Sequence, residues 1–300
     1  MYKRQLVGRA AGRAPVEARR RWSWDWVGVI PFFLFALAFL LLPTLNLIVG
    51  SFQDATGAFT LQNISQLSQK VVVSAYLTSI ELSLVTAVAG GLFGFLIAYA
   101  IVLGGLPRWL QSGVVTFSGV ASNFAGVPLA FAFISTLGRL GLVSVLLKSV
   151  FGIDIYQAGF NLYNFLGLSL TYLYFQIPLM ILIITPALEG LRREWREAAE
   201  NLGATPLVYW QRVALPILLP TILATIVLLF GNAFGAYATA YALTGGTINL
   251  VTILIGNQIT GDVLNNPGLG NSLSLGMIVI MGLSIGGYTL LQRRTGRWIK

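Results

Sequence analysis

The chain has neither cysteine nor histidine among its 300 residues. Disulfides, thiolate chemistry and imidazole-ligated metals are thereby excluded, and cysteine usage gives no indication of redox compartment. Charge is scarce too: Asp, Glu, Lys and Arg make up 10% of the chain, against about 25% in an average soluble domain. Apolar residues take their place, at 56% with a mean hydropathy of +0.79. This is the composition of an integral membrane protein. A formal net charge of +9 would suggest nucleic acid in a soluble chain; here the placement of the charges matters more than their sum.

A hydrocarbon core about 30 Å thick is crossed by roughly 20 apolar residues in a helix. Six runs qualify, near Val27–Val49, Leu77–Leu103, Val114–Leu137, Leu162–Leu188, Ile217–Leu243 and Ser272–Leu291. The first exceeds the core of a secretory signal and follows a long polar segment, so it reads as a retained span. The fold class expected is all-α integral membrane with six helices. A basic tail over 1–26 precedes the membrane domain of 27–291, and a second basic tail, 292–300, follows it.

Orientation follows from where Lys and Arg fall in short connections. Sixteen of the 19 lie on one face: Lys3, Arg4, Arg9, Arg13, Arg19, Arg20 and Arg21 in the first tail, Arg108, then Arg192, Arg193, Arg196 and Arg212, then Arg293, Arg294, Arg297 and Lys300. The opposite face has Lys70, Arg139 and Lys148. Both termini and the connection between the fourth and fifth spans are thus expected in the cytoplasm. The N-terminal basic segment reads either as a topology determinant or as a patch for anionic lipid. Trp22, Trp24 and Trp26 suit the interfacial belt before the first span.

One connection concentrates the scarce charge, EGLRREWREAAENLGATPLVYWQRVALP from Glu189 to Pro216. Leu188, Leu191, Trp195, Ala198 and Leu202 recur at helical spacing. Gly203 stands where a left-handed C-cap belongs. Thr205-Pro206 is a helix start, with threonine as N-cap and proline at the first position. Trp210 and Val213 lie on the apolar side of the short helix that follows, and Pro216 and Pro220 mark re-entry into the fifth span. The expected shape is a helix–Gly–helix elbow at the membrane surface. Its paired alanines allow close approach of a partner, and Glu197 offers a charged contact.

Glu197-Ala198-Ala199, three residues, Gly203, nine residues, then Val213-Ala214-Leu215-Pro216 resembles the EAA loop of ABC importer permeases. Valine replaces the usual isoleucine, and the six-span layout extends the likeness over almost the whole chain. The resemblance implies a type I importer of a bacterial plasma membrane. In it two permease subunits, identical or homologous, form the pathway, and a dimer of ABC ATPase subunits grips the coupling loop at 189–216. A periplasmic or extracellular binding protein delivers the solute. Glu197, Ala198, Ala199, Gly203, Leu215 and Pro216 would then couple the permease to the ATPase. The residues agree on one independent point. A phosphate-gripping loop needs a Gly-Lys pair, yet the lysines follow Tyr2, Gln69, Leu147 and Ile299. No cofactor, metal or catalytic residue is expected in this chain, and ATP hydrolysis falls to another.

Two other classes fit worse. Gly282-Leu283-Ser284-Ile285-Gly286 matches the G-x-S-x-G nucleophile pattern, but no histidine or intramembrane lysine supplies a base. It reads better as small-xxx-small packing, like Gly90/Gly94 and Gly231/Gly235. An ion-coupled transporter or channel would place ionisable groups at mid-membrane, and Glu81 is the single carboxylate within a span. With the second span starting at Leu77, Glu81 lies about 6 Å from its mouth. It reads either as a charge facing the pathway or as a carboxylate reaching the interface. Asn232, Tyr237 and Tyr241 are candidates for the pathway or for helix packing. The stretches Ser79–Ala100 and Phe230–Gly246 resemble permeases around spermidine/putrescine import, a neighbourhood that includes phosphonate, thiamine, iron and sulfate systems. Polyamine is the solute that this resemblance implies first.

Overall fold

The computed structural model describes residues 28–54, 56–260 and 266–295. The basic N-terminal segment, Trp22, Trp24, Trp26, Asp262, Arg297 and Lys300 lie outside the described residues. The chain divides into two compact units, Met1–Asn46 and Leu47–Lys300. Helix α1 (Ile30–Gly50) carries most of the described residues of the first unit and ends four residues past its boundary; it has Pro31 in its first turn and widens into a π turn at Leu37–Leu41. Proline is favourable there because the first N–H groups of a helix have no intrahelical partner.

The second unit continues through α2 (Gln62–Ser65), α3 (Lys70–Leu103), α4 (Arg108–Asn123), α5 (Val127–Leu137) and α6 (Leu142–Phe151). After these come α7 (Phe165–Glu189), α8 (Arg193–Asn201), α9 (Pro206–Phe234), α10 (Ala238–Thr244), α11 (Val251–Thr260) and α12 (Pro267–Thr295). Among the described residues, extended pairing is confined to one antiparallel bridge, Gln53 with Phe59. Among the described residues, six stretches are long and apolar enough to cross a membrane: Ile30–Gly50, Lys70–Leu103, Val127–Phe151, Phe165–Glu189, Pro206–Phe234 and Pro267–Leu290.

The expected third and fifth spans are corrected. In place of one helix over 114–137, α4 ends at Asn123 and α5 restarts at Val127. In place of one helix over 217–243, α9 ends at Phe234 and α10 restarts at Ala238. Both breaks hold glycine, Gly126 at φ +74° and Gly235 as the C-cap of α9. The second span also begins earlier than expected, at Lys70.

Helices α3, α7 and α9 pack together at the centre. Gly90 and Gly94 let α7 approach: a Cβ there would lie 2.7 Å from Gln176 Cβ and 2.6 Å from Met180 Cβ. Gly231 likewise makes room for the Met281 methyl of α12. The packing expected of Gly282 and Gly286 is not found, since nothing lies within 4 Å of a Cβ at either; their face of α12 points away from the bundle. Several buried hydroxyls of α3 and α7 turn back onto their own helices, as Thr86 Oγ1 does to Leu82 O at 2.8 Å and Thr185 Oγ1 to Ile181 O at 2.7 Å. Such bonds satisfy a polar group in an apolar interior without a partner helix.

Candidate functional site

The two helix breaks meet. Gly126 N–H donates to Thr239 Oγ1 at 2.7 Å, which ties the start of α5 to the first turn of α10. Tyr172 of α7 donates its hydroxyl to Ala236 O at 2.8 Å, inside the 235–237 break. These two side chains supply partners to backbone that has left the helix, a requirement in a membrane interior. Around the junction lies an open cavity of about 510 Å³, lined by Ser122, Gly126, Phe175, Asn232, Tyr237 and Thr239 with small residues between. Its lining carries no charged side chain.

Of the pathway candidates, Asn232 and Tyr237 line this cavity. Tyr241 does not; it stacks on Tyr237, with ring centroids 5.5 Å apart. Glu81 lies elsewhere, exposed on α3 in a separate groove with Ser68, Lys70, Ser74 and Thr78. Helix α3 starts at Lys70, so Glu81 sits eleven residues, about 16 Å, from the helix end; at 34 residues the helix is longer than a hydrocarbon core requires. Ser122, Gly126 and Thr239 escaped the sequence reading. Pro128 just behind Gly126 was the signal that a helix begins there.

At the elbow the local expectations hold. Helix α8 closes with Gly203 N–H donating to Glu200 O at 2.9 Å and Ala204 N–H to Ala199 O at 2.9 Å. Those two bonds define a Schellman cap, which needs the left-handed φ of +77° seen at Gly203. Thr205 then accepts from Val208 N–H at 3.4 Å, with Pro206 in the first turn. One cap thus runs directly into the next, and the corner is set by three residues. No residue of α8 is buried. Ala198 is exposed, Ala199 is half-buried, and Leu202 at the corner is 88% exposed.

Three details differ from expectation. The stripe from Leu188 to Leu202 is not one helix, because α7 stops at Glu189 and the chain bends through Gly190 and Arg192. The short helix after Thr205 is not separate; it is the first part of α9, joined through a π turn at Trp210–Ala214. That wider turn accommodates Pro216, which has no N–H to give to the residue-212 carbonyl. Glu197 is paired within its own helix, accepting from Arg193 Nε at 3.0 Å, and Glu200 does the same with Arg196 at 2.9 Å. That bond holds the Arg196 guanidinium above its usual pKa. Leu215 is exposed, and Pro216 is half-buried where α9 turns into the bundle.

Residues 90–297 match the family described as binding-protein-dependent transport system inner membrane component. The chain belongs to that family. It is a multi-pass permease of the type I ABC-importer class, a transport subunit of the inner membrane. A probable sulfate transport system permease protein of Nephroselmis olivacea is 29% identical over 74% of this chain and 73% of that one. The spermidine/putrescine transport system permease protein of Haemophilus influenzae is 25% identical over 84% of this chain and 88% of its own. Among solved structures, a bacterial ABC transporter for import of the acidic polysaccharide alginate superposes with a TM-score of 0.70. It is 17% identical and covers 90% of this chain and 95% of that chain, a likeness of fold.

Proposed function

We propose that this chain forms the translocation pathway of an ATP-driven importer for a small oxyanion, with sulfate the first choice. The elbow carries the reading. A charged helix between two spans, with no buried residue and ending in a doubly capped corner, contributes little to packing its own bundle and is suited to transmit force to another chain. Glu197, Ala198, Ala199 and Gly203 supply its contact surface, and Leu215 and Pro216 connect it to α9. ATP hydrolysis belongs to a separate ATPase dimer on the cytoplasmic side, where the charge asymmetry also places both termini. An external binding protein delivers the solute. The 189–216 loop is the coupling element between two parts of a single membrane domain, 27–291.

A second permease subunit covers the exposed face of α3. Glu81 supports this, because an exposed carboxylate on a membrane-spanning helix is costly against lipid and finds company in a protein interface. Polyamine, the solute first implied by the sequence, gives way to sulfate on two grounds. The relative named for sulfate transport is the more similar in identity, and the cavity presents hydroxyl and amide groups with no carboxylate to hold a polycation. Proteoliposomes containing the permease, its ATPase and its binding protein should take up radiolabelled sulfate, and excess putrescine should not compete. Putrescine uptake with no sulfate uptake would reverse the solute assignment.

A further inference from the structure

Between Arg212 and the break at 235–237, α9 is apolar apart from two threonines and one carboxamide, Asn232. Thr225 bonds back to its own helix, giving its hydroxyl to Thr221 O at 2.7 Å. At the other break, Asn123 does the same, with Nδ2 donating to Gly119 O at 2.9 Å. Such a local bond is open to an asparagine on a helix surface. Asn232 does not make it. This side chain is exposed, and among the described residues neither its Nδ2 nor its Oδ1 has a hydrogen-bond partner. A carboxamide can donate two hydrogen bonds and accept two, and leaving all of them unmade against hydrocarbon is costly.

Asn232 instead lines the open cavity of about 510 Å³. Two hydroxyls on the same lining are also uncommitted as donors. Thr239 Oγ1 accepts from Gly126 N–H, but among the described residues neither its own O–H nor that of Tyr237 has an acceptor. Three nearby positions in the chain thus bring spare donors to one space that holds no charged side chain. This set suits a solute that only accepts hydrogen bonds and carries its own negative charge, since charge-assisted bonds are about twice as strong as neutral ones. With no fixed cation beside it, such a solute can also leave, as passage requires.

We propose that Asn232 is the selecting contact of the solute route: its carboxamide, with the Tyr237 and Thr239 hydroxyls, offers neutral donors to a passing oxyanion. The assignment rests on the permease reading above. It makes the chemistry at position 232 matter more than its size. Aspartate has the shape of asparagine, yet it replaces both donors by acceptors and adds a negative charge.

Asn232→Asp, Asn232→Leu and Asn232→Gln are made in the full complex with ATPase and binding protein, in proteoliposomes. Initial uptake of radiolabelled sulfate and the ATP hydrolysis stimulated by loaded binding protein are measured together. Stimulated hydrolysis should stay within about twofold of wild type, because the substitutions bury and unpair nothing. Sulfate carried per ATP should fall about tenfold in Asn232→Leu, the loss of one hydrogen bond to a charged group. It should fall further in Asn232→Asp, where like charges meet, and Asn232→Gln, which keeps the donors, should retain most of it. Should no variant at 232 assemble, Tyr237→Phe removes one donor from the same lining and should lower the same ratio. An unchanged ratio in Asn232→Asp, or in Tyr237→Phe where that is the variant measured, would overturn the proposal. Equal losses in Leu, Gln and Asp would overturn it too, since that is the pattern of a packing residue. A wild-type complex that carries putrescine and no sulfate would contradict the solute assigned above; a rise in putrescine uptake with Asn232→Asp would then keep the selecting role at 232 and remove the oxyanion.

Discussion

Gly203 offers the sharpest separation of corner shape from corner bulk. Nothing lies within 4 Å of a Cβ built at this position, so a side chain meets no neighbour in the isolated chain. The penalty for substitution comes from backbone alone, through the φ of +77°. Alanine in that conformation costs about 1 kcal/mol, which lowers the ratio of capped to uncapped corner about fivefold. A β-branched valine costs more, because φ > 0 is a true outlier for such side chains. Asparagine occupies left-handed conformations readily and should be nearly neutral. The affinity of the ATPase for permease in nanodiscs should therefore fall in the order Gly, Asn, Ala, Val, and substrate-stimulated hydrolysis should fall with it. Membrane insertion and thermal stability of the bundle should be unchanged, since α8 buries nothing. Valine binding the ATPase as tightly as glycine would refute the shape argument. Asparagine failing as badly as valine would show that bulk at the docked corner, and not the cap, is what matters.

Glu197→Lys should leave the bundle folded, because an exposed i,i+4 pair contributes little, yet should weaken ATPase association measurably by pull-down. Gly94→Leu should cut the yield of folded permease in fluorescence-detection size-exclusion, because its Cβ alone would sit 2.6 Å from that of Met180 and overpacking costs about 1–3 kcal/mol. A hydrogen bond from Lys148 holds the Asp154 carboxyl below the usual carboxylate range. The pair's contribution is accordingly present above the ordinary Asp pKa and lost as pH falls through the lowered one. Protection factors in the 152–160 loop, with exchange corrected for the intrinsic rate at each pH, should fall at acid pH in wild type, and Asp154→Asn should remove that dependence. For topology, an impermeant thiol reagent on intact cells should leave Thr205→Cys unlabelled and label Asn266→Cys; the opposite pattern would invert the orientation.

The elbow was legible from sequence because caps are local. A glycine three residues after Glu200, then Thr-Pro, dictates its own hydrogen bonds whatever the rest of the chain does. Hydropathy runs through the helix breaks at 124–126 and 235–237 without interruption, and only the first carries a local sign, Pro128 in the turn that follows it. What permits them is tertiary: Tyr172 and Thr239 arrive from distant sequence to satisfy the freed backbone. The same limit applied to the start of α3, where Lys70 is polar enough to hide seven helical residues from an apolar count. Gly282 and Gly286 show the converse case. Their spacing permits close packing, but spacing alone does not say which helix, if any, comes near.

The most direct test of the permease reading uses proteoliposomes with ATP enclosed and the external binding protein supplied outside. Radiolabelled sulfate uptake should require the permease, the ATPase, ATP and the binding protein together, and should persist when ionophores collapse every ion gradient. Uptake by this chain alone, driven by an imposed proton or sodium gradient and indifferent to ATP, would contradict it.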